Sequence, residues 1–198
     1  MKCKTIQCDN GKEITIIDDA VTLPTMTYIY FICCSLNYQI SNSSSTEIQG
    51  IVDRRLKSDI ENNHPIIDCL FDEKTNSFKE IKKCIPPDTY GFDRGYVNLG
   101  IHGDVNQIHT DNVNSCKTIL YYANKHWEYN WGGHTLFYND EGDLQTTVEV
   151  KPGRIVVFDG IIPHTVMPMN IRCSPSYRFT VAIKFVDLNS HKFEIERQ

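Results

Sequence analysis

The sequence has little that would carry a chain through a membrane or onto a nucleic acid. Its opening, MKCKTIQCDNGKE, lacks the apolar core of a secretory signal. The most apolar stretch, Tyr28 to Leu36, falls far short of the roughly 20 residues that a membrane span requires. No CxxC pair occurs among the eight cysteines (positions 3, 8, 33, 34, 69, 84, 116 and 173), so without an export signal they read as reduced thiols, several of them buried. Basic excess is also missing. The formal net charge is -5, the pI is near 5.8, and Lys and Arg are scattered rather than striped, which argues against binding to a phosphate backbone. No repeat, low-complexity tract or long linker is visible. These absences predict a soluble, intracellular, cytoplasmic protein with neither nucleic acid nor membrane as partner.

What is present is enough apolar material, 40% of 198 residues, for a single domain with a substantial core. The chain divides into a mixed front, 1–93, and a strand-rich back, 94–186. In the front, EITIID (13–18) predicts a short strand. The apolar run from Met26 to Leu36, after Pro24, fits a buried helix packed on a sheet or, by its Tyr, Ile and Phe content, a strand. SNSSST (41–46) reads as a loop capping a helix from about Glu47, in which Ile48, Ile51, Val52, Leu56 and Ile60 recur at helical spacing. A second helix includes Phe78, Ile81 and Ile85 and ends at Pro86-Pro87, because a following proline disfavours helical geometry. From Gly95 onward, short runs rich in Val, Ile, Tyr, Phe and Thr alternate with turns such as NDEGD (139–143), KPG (151–153) and DG (159–160). The expected architecture is a mainly β domain buttressed by N-terminal helices.

Two histidines and one carboxylate on an octahedral ion leave three positions open, the facial triad of non-haem Fe(II) oxygenases. Its sequence requirement is HxD or HxE followed by a distant His. Three triplets satisfy the first part: His102-Gly103-Asp104, His109-Thr110-Asp111 and His126-Trp127-Glu128. As triplets they are equivalent, and each alone is more often a surface histidine than a ligand. Context favours the second, since His109 and Asp111 fall at the end of a strand expected to begin near Tyr96, where alternate residues share a face. His164 follows a strand, Arg154 to Asp159, and a loop, and so opens the next strand. In SYRFTVAIKF (176–185), Tyr177, Phe179, Val181, Ile183 and Phe185 alternate on one face, with Arg178, Thr180, Ala182 and Lys184 on the other. A guanidinium and a hydroxyl pointing the same way suit a carboxylate. Taken alone, Arg178 reads more simply as a surface ion pair.

In this order, HTD (109–111), TILYYANKHW (118–127), WGGHTLF (131–137), KPGRIVVFDG (151–160), IPHTVMP (162–168) and YRFTVAIKF (177–185) resemble the 2-oxoglutarate oxygenase superfamily, specifically its prolyl-4-hydroxylase-like branch. The resemblance covers about residues 94–186 and implies a double-stranded β-helix, or jelly-roll, core. It implies that His109, Asp111 and His164 bind Fe(II), with His102/Asp104 in a turn and His126/Glu128 in a structural segment. Arg178 is implied to bind the distal carboxylate of 2-oxoglutarate with Thr180 and Tyr122. Tyr96 and Asn98 are implied to line the cavity, where relatives with a tyrosine nearer the HxD motif differ from Leu99 and Gly100 here. Arg172 is the rival anchor and a substrate contact; Trp131 and Trp127 are a substrate platform or, more simply, packing residues. His134 stands where many relatives carry an acidic residue. The implied reaction consumes O2, with ascorbate as reductant, and hydroxylates a C–H bond, releasing CO2 and succinate. A prolyl or other peptidyl side chain is the expected substrate, and the acidic surface suits a basic peptide. A free amino acid or other small molecule is the alternative. A non-catalytic jelly-roll binding module is the rival of another class.

Overall fold

In a computed structural model, residues 1–42, 54–104, 106–111, 116–173 and 177–189 are described. The front contains β1 (Lys2–Gln7), β2 (Glu13–Asp18), α1 (Leu23–Ser35), β3 (Gln39–Asn42), β4 (Arg54–Ile60), α2 (Pro65–Leu70) and α3 (Asn76–Cys84). The back contains β5 (Tyr90–Ile101), β6 (Cys116–Tyr122), β7 (Thr135–Tyr138), β8 (Leu144–Val148), β9 (Ile155–Asp159), β10 (His164–Val166) and β11 (Tyr177–Asp187). Among the described residues no helix is long and apolar enough to cross a membrane.

An eight-stranded sheet runs β1-β2-β9-β6-β11-β5-β4-β3, and a three-stranded sheet runs β10-β7-β8. Every strand pairing in both is antiparallel. Two cores result. On the outer face of the large sheet, Ile119, Tyr121, Val181 and Ile183 pack against Ile29, Cys33, Ile66, Leu70 and Ile81 of the helices. Between the sheets, Leu120, Tyr122, Val156, Phe158 and Ala182 meet Phe137 and Val148. The central strands are therefore buried on both faces, which accounts for their near-continuous apolar runs. Fully burying one such side chain contributes about 1.5–3 kcal/mol.

The helices form where their ends allow. Thr22 caps α1 by accepting from the Thr25 N–H, and Pro24 occupies its first turn. Only one face of α1 is buried, through Ile29 and Cys33, while Tyr28 and Phe31 are exposed; the helix is half covered, not buried throughout. Thr75 caps α3, which stops before Pro86.

Two expectations are corrected. The helix from about Glu47 lies partly outside the described residues, but its Leu56 and Ile60 belong to β4, a strand paired with β3 and β5. An i, i+4 pair of apolar residues satisfies both a period of two and a period near 3.6, so that spacing could not separate them. The strand expected to carry His109 and Asp111 at its end starts earlier, at Tyr90, and stops at Ile101. The IHGD turn ends it. Gly103 has φ +83°, and the Asp104 carboxylate accepts from the Ile101 N–H at 2.8 Å.

Candidate active site

His109 lies in the loop after β5 but is held like a strand residue. Its N–H donates to the His164 carbonyl at 3.0 Å, and the His164 N–H donates back to the His109 carbonyl at 2.9 Å. The imidazoles consequently lie side by side, with ring centroids 4.5 Å apart. Each Nδ1 meets a backbone carbonyl two residues earlier, Gln107 for His109 at 3.0 Å and Ile162 for His164 at 2.8 Å. A carbonyl only accepts, so each Nδ1 is the donor and each Nε2 is turned toward the cluster. Both Nε2 atoms face Asp111 Oδ1, at 3.7 and 3.6 Å. Nε2 of His109, Nε2 of His164 and the Asp111 carboxylate make a cluster whose ligand atoms lie within 4.8 Å of one another. Two fixed imidazoles and one carboxylate fit a divalent Fe(II) ion.

Asp111 is held on every side. Its N–H donates to the Gly160 carbonyl at 2.7 Å, Thr118 donates to Oδ2 at 2.6 Å, and Lys184 Nζ donates to Oδ1. Burial by itself would raise its carboxyl pKa, but His164, Lys184 and Thr118 outweigh burial and bring it down to about 2.

Further along the same face of the large sheet, the register sets Thr180 of β11 opposite Asn98 of β5 and Tyr122 of β6, and Arg178 opposite Gly100. The Arg178 guanidinium sits 5.1 Å from the Tyr122 ring centroid. Arg178 Nε and Nη2, Thr180 Oγ1 and Asn98 Oδ1 are buried and have no hydrogen-bond partner among the described residues. Burial pushes the Arg178 pKa down, an effect that Tyr122 partly opposes. Of these, the Arg178 and Thr180 donors fit the carboxylate of a bound keto acid, whereas Asn98 Oδ1 only accepts. The backbone beside Arg178 leaves room for its side chain. A Cβ on Gly133 (φ +73°) would stand 3.0 Å from Arg178 Cδ and 3.1 Å from Trp127 Cζ2, and one on Gly132 would stand 2.6 Å from the Pro168 carbonyl.

One cavity joins the two ends; its wall includes Tyr96, Asn98, His109, Asp111, Thr118, His164, Arg178 and Thr180. Tyr122 is fully buried behind this wall, with its hydroxyl hydrogen-bonded to Thr135 at 2.7 Å. Neither Trp131 nor Arg172 is brought into the wall. Trp131 packs edge-on against Trp127 at 5.5 Å, and Arg172 is exposed in a turn whose geometry Asn170 fixes by accepting from its N–H. The other triplets serve structure: His102 bonds the Met169 carbonyl, and His126 pairs with Glu128 on the surface at 2.8 Å. His134 lies outside the wall too, and burial lowers its pKa. Sequence reasoning gave no role to Lys184, Thr118 or Gly133. For Lys184 the signal was there, since the alternation that turned Arg178 inward turned Lys184 inward as well.

Residues 91–185 match the family model described as the 2OG-Fe(II) oxygenase superfamily. No curated protein matches the sequence. Solved structures similar to the chain include a Pseudomonas putida prolyl-4-hydroxylase, 14% identical, with a TM-score of 0.64 and coverage of 88% of this chain and 92% of that one. A prolyl hydroxylase from Trichoplax adhaerens is 18% identical, with a TM-score of 0.64 and coverage of 91% and 86%. The viral collagen prolyl hydroxylase of Paramecium Bursaria Chlorella virus-1 is 15% identical, with a TM-score of 0.59 and coverage of 88% and 94%. At such identities the likeness shows the shared fold, a double-stranded β-helix with N-terminal helices. With the matched segment and the histidine–aspartate–histidine cluster inside this roll, the chain belongs, over residues 91–185, to the 2OG-Fe(II) oxygenase superfamily, for which Fe(II) and 2-oxoglutarate are the cofactors.

Proposed function

We propose that this oxygenase hydroxylates a C–H bond of a prolyl or other peptidyl side chain, with release of CO2 and succinate. The observation that carries the reading is a single cavity with a metal-ligand cluster at one end and buried, unpaired carboxylate-binding groups at the other. Bound there, Fe(II) and 2-oxoglutarate supply the activation of O2. The chain's own residues bind and orient. His109 and His164 Nε2 with Asp111 Oδ1 hold the metal, and Arg178 with Thr180 holds the distal carboxylate. Tyr122 supports Arg178 through its ring. At the mouth, Ile101 and Met167 are partly exposed, which suits an apolar side chain presented from outside. A peptide also fits the fold relative from Trichoplax adhaerens, solved with a hypoxia inducible factor peptide fragment.

The test is anaerobic loading with Fe(II) and 2-oxoglutarate, then exposure to O2 and measurement of succinate. Wild type is expected to form succinate, and His109→Ala and His164→Ala are expected to lose essentially all of it. Full turnover in either variant would overturn the metal assignment, and no turnover by wild type would favour a binding module. Peptide libraries screened for the mass gain of one oxygen atom address the substrate; a response confined to free amino acids would remove the peptidyl reading.

A further inference from the structure

The cross-strand register places Lys184 of β11 directly opposite Thr118 of β6, on the face that also carries Arg178 and Thr180. Both side chains reach the same carboxylate. Thr118 donates to Asp111 Oδ2, and Lys184 donates to Oδ1, the oxygen that both histidine Nε2 atoms face. Asp111 thus turns one oxygen, Oδ1, toward the two imidazoles, and that oxygen already carries an ammonium partner. Lys184 is only 6% exposed, and its Nζ stands 5.5 Å from the Tyr96 ring centroid. A cation so enclosed stays beside the carboxylate when a second cation enters, because it has little water to retreat to.

We propose that Lys184 is a positioning residue that shares Asp111 Oδ1 with the metal, so that the site holds metal weakly by itself and tightly only with 2-oxoglutarate. The inference rests on the oxygenase reading above. Its physical basis is charge. The Lys184–Asp111 pair is neutral, so a divalent ion meets two imidazoles and an anion whose charge is already matched. Dianionic 2-oxoglutarate supplies the negative charge that Lys184 has cancelled. Metal loading is thereby linked to cosubstrate supply, and by reciprocity metal tightens the cosubstrate equally.

The experiment is titration of Mn(II) into metal-free protein, with free Mn(II) read by electron paramagnetic resonance, with and without 2-oxoglutarate. For wild type, 2-oxoglutarate is expected to tighten Mn(II) at least about tenfold, the scale on which residues behind metal ligands act. Lys184→Met and Lys184→Gln are expected to bind Mn(II) alone at least about tenfold more tightly than wild type and to gain less from 2-oxoglutarate, and Lys184→Arg to follow wild type. Equal Mn(II) affinity in wild type, Lys184→Met and Lys184→Gln would overturn the proposal and leave the oxygenase reading intact. A wild type whose Mn(II) affinity ignores 2-oxoglutarate would overturn it without any variant. Absence of Mn(II) binding in wild type even with 2-oxoglutarate present would remove the oxygenase reading itself.

Discussion

At the metal end of the cavity both oxygens of Asp111 have donors, Thr118 and Lys184, and both imidazole Nδ1 atoms have carbonyl acceptors. At the other end, Arg178, Thr180 and Asn98 bury polar atoms with no hydrogen-bond partner among the described residues. Both ends back onto one face of the large sheet, through Thr118 and Lys184 at the first and Arg178 and Thr180 at the second, and the Asp111 side chain is buried as Arg178 is. The difference lies in what finishes each one. The protein completes the hydrogen bonding of its own candidate metal ligands, whereas a ligand is left to complete Arg178. Each unmet buried polar group costs about 1–3 kcal/mol. Stability at the second end is therefore exchanged for affinity.

The strongest way to break this contrast is Asp111→Ala in the metal-free protein. It leaves Lys184 buried beside two imidazoles, and the expected loss is about 3–5 kcal/mol by chemical denaturation. A loss below about 1 kcal/mol would mean that the pair contributes nothing to the fold. The pH dependence has the matching sign. The folded pKa of Asp111, about 2, lies below the ordinary 3.8, so its stabilisation is complete above 3.8 and disappears as pH falls through 2. Asp111→Ala should lack that acid limb.

At the opposite end the stability sign reverses. Arg178→Ala is expected to raise the KM for 2-oxoglutarate about 10–100-fold, the loss of a charge-assisted hydrogen bond, with a smaller change in kcat. Arg178→Met, apolar and of similar length, should leave the Tm of the ligand-free protein equal to wild type or higher. If Arg178→Met unfolds as readily as Asp111→Ala, the two ends are not built differently. The smallest effect is expected for Tyr122→Phe. It removes one buried hydroxyl bond to Thr135, about 1 kcal/mol, and keeps the ring beneath the guanidinium.

How much of this could be read from the sequence depended on whether a periodic element carried the residue. β11 alternates strictly, so Arg178 and Thr180 could be turned inward on paper. His164 was legible as a strand start because β9 and a turn precede it. His109 and Asp111 lie in a loop, where no period applies; their place is set by hydrogen bonds to residues 164 and 160, which are remote in sequence. β1 was missed because KCKTIQ is an almost wholly exposed edge strand with no apolar alternation. β4 was misread because Leu56 and Ile60 fit two periods at once. Lys184 faced the right way but received no role, since a lysine's partner is a matter of tertiary register. That register became visible only when β6 was set beside β11.

The reciprocal backbone bonds between residues 109 and 164 join segments 55 positions apart in the chain. Such a link forms only when the roll has closed on itself, late in any sequence of events dominated by distant pairings. A nascent or partly opened chain has its imidazoles apart and no seat for iron. Capture of an ion at this cluster would therefore report that the roll has closed, and would keep a redox-active metal from a polypeptide still unable to confine its chemistry.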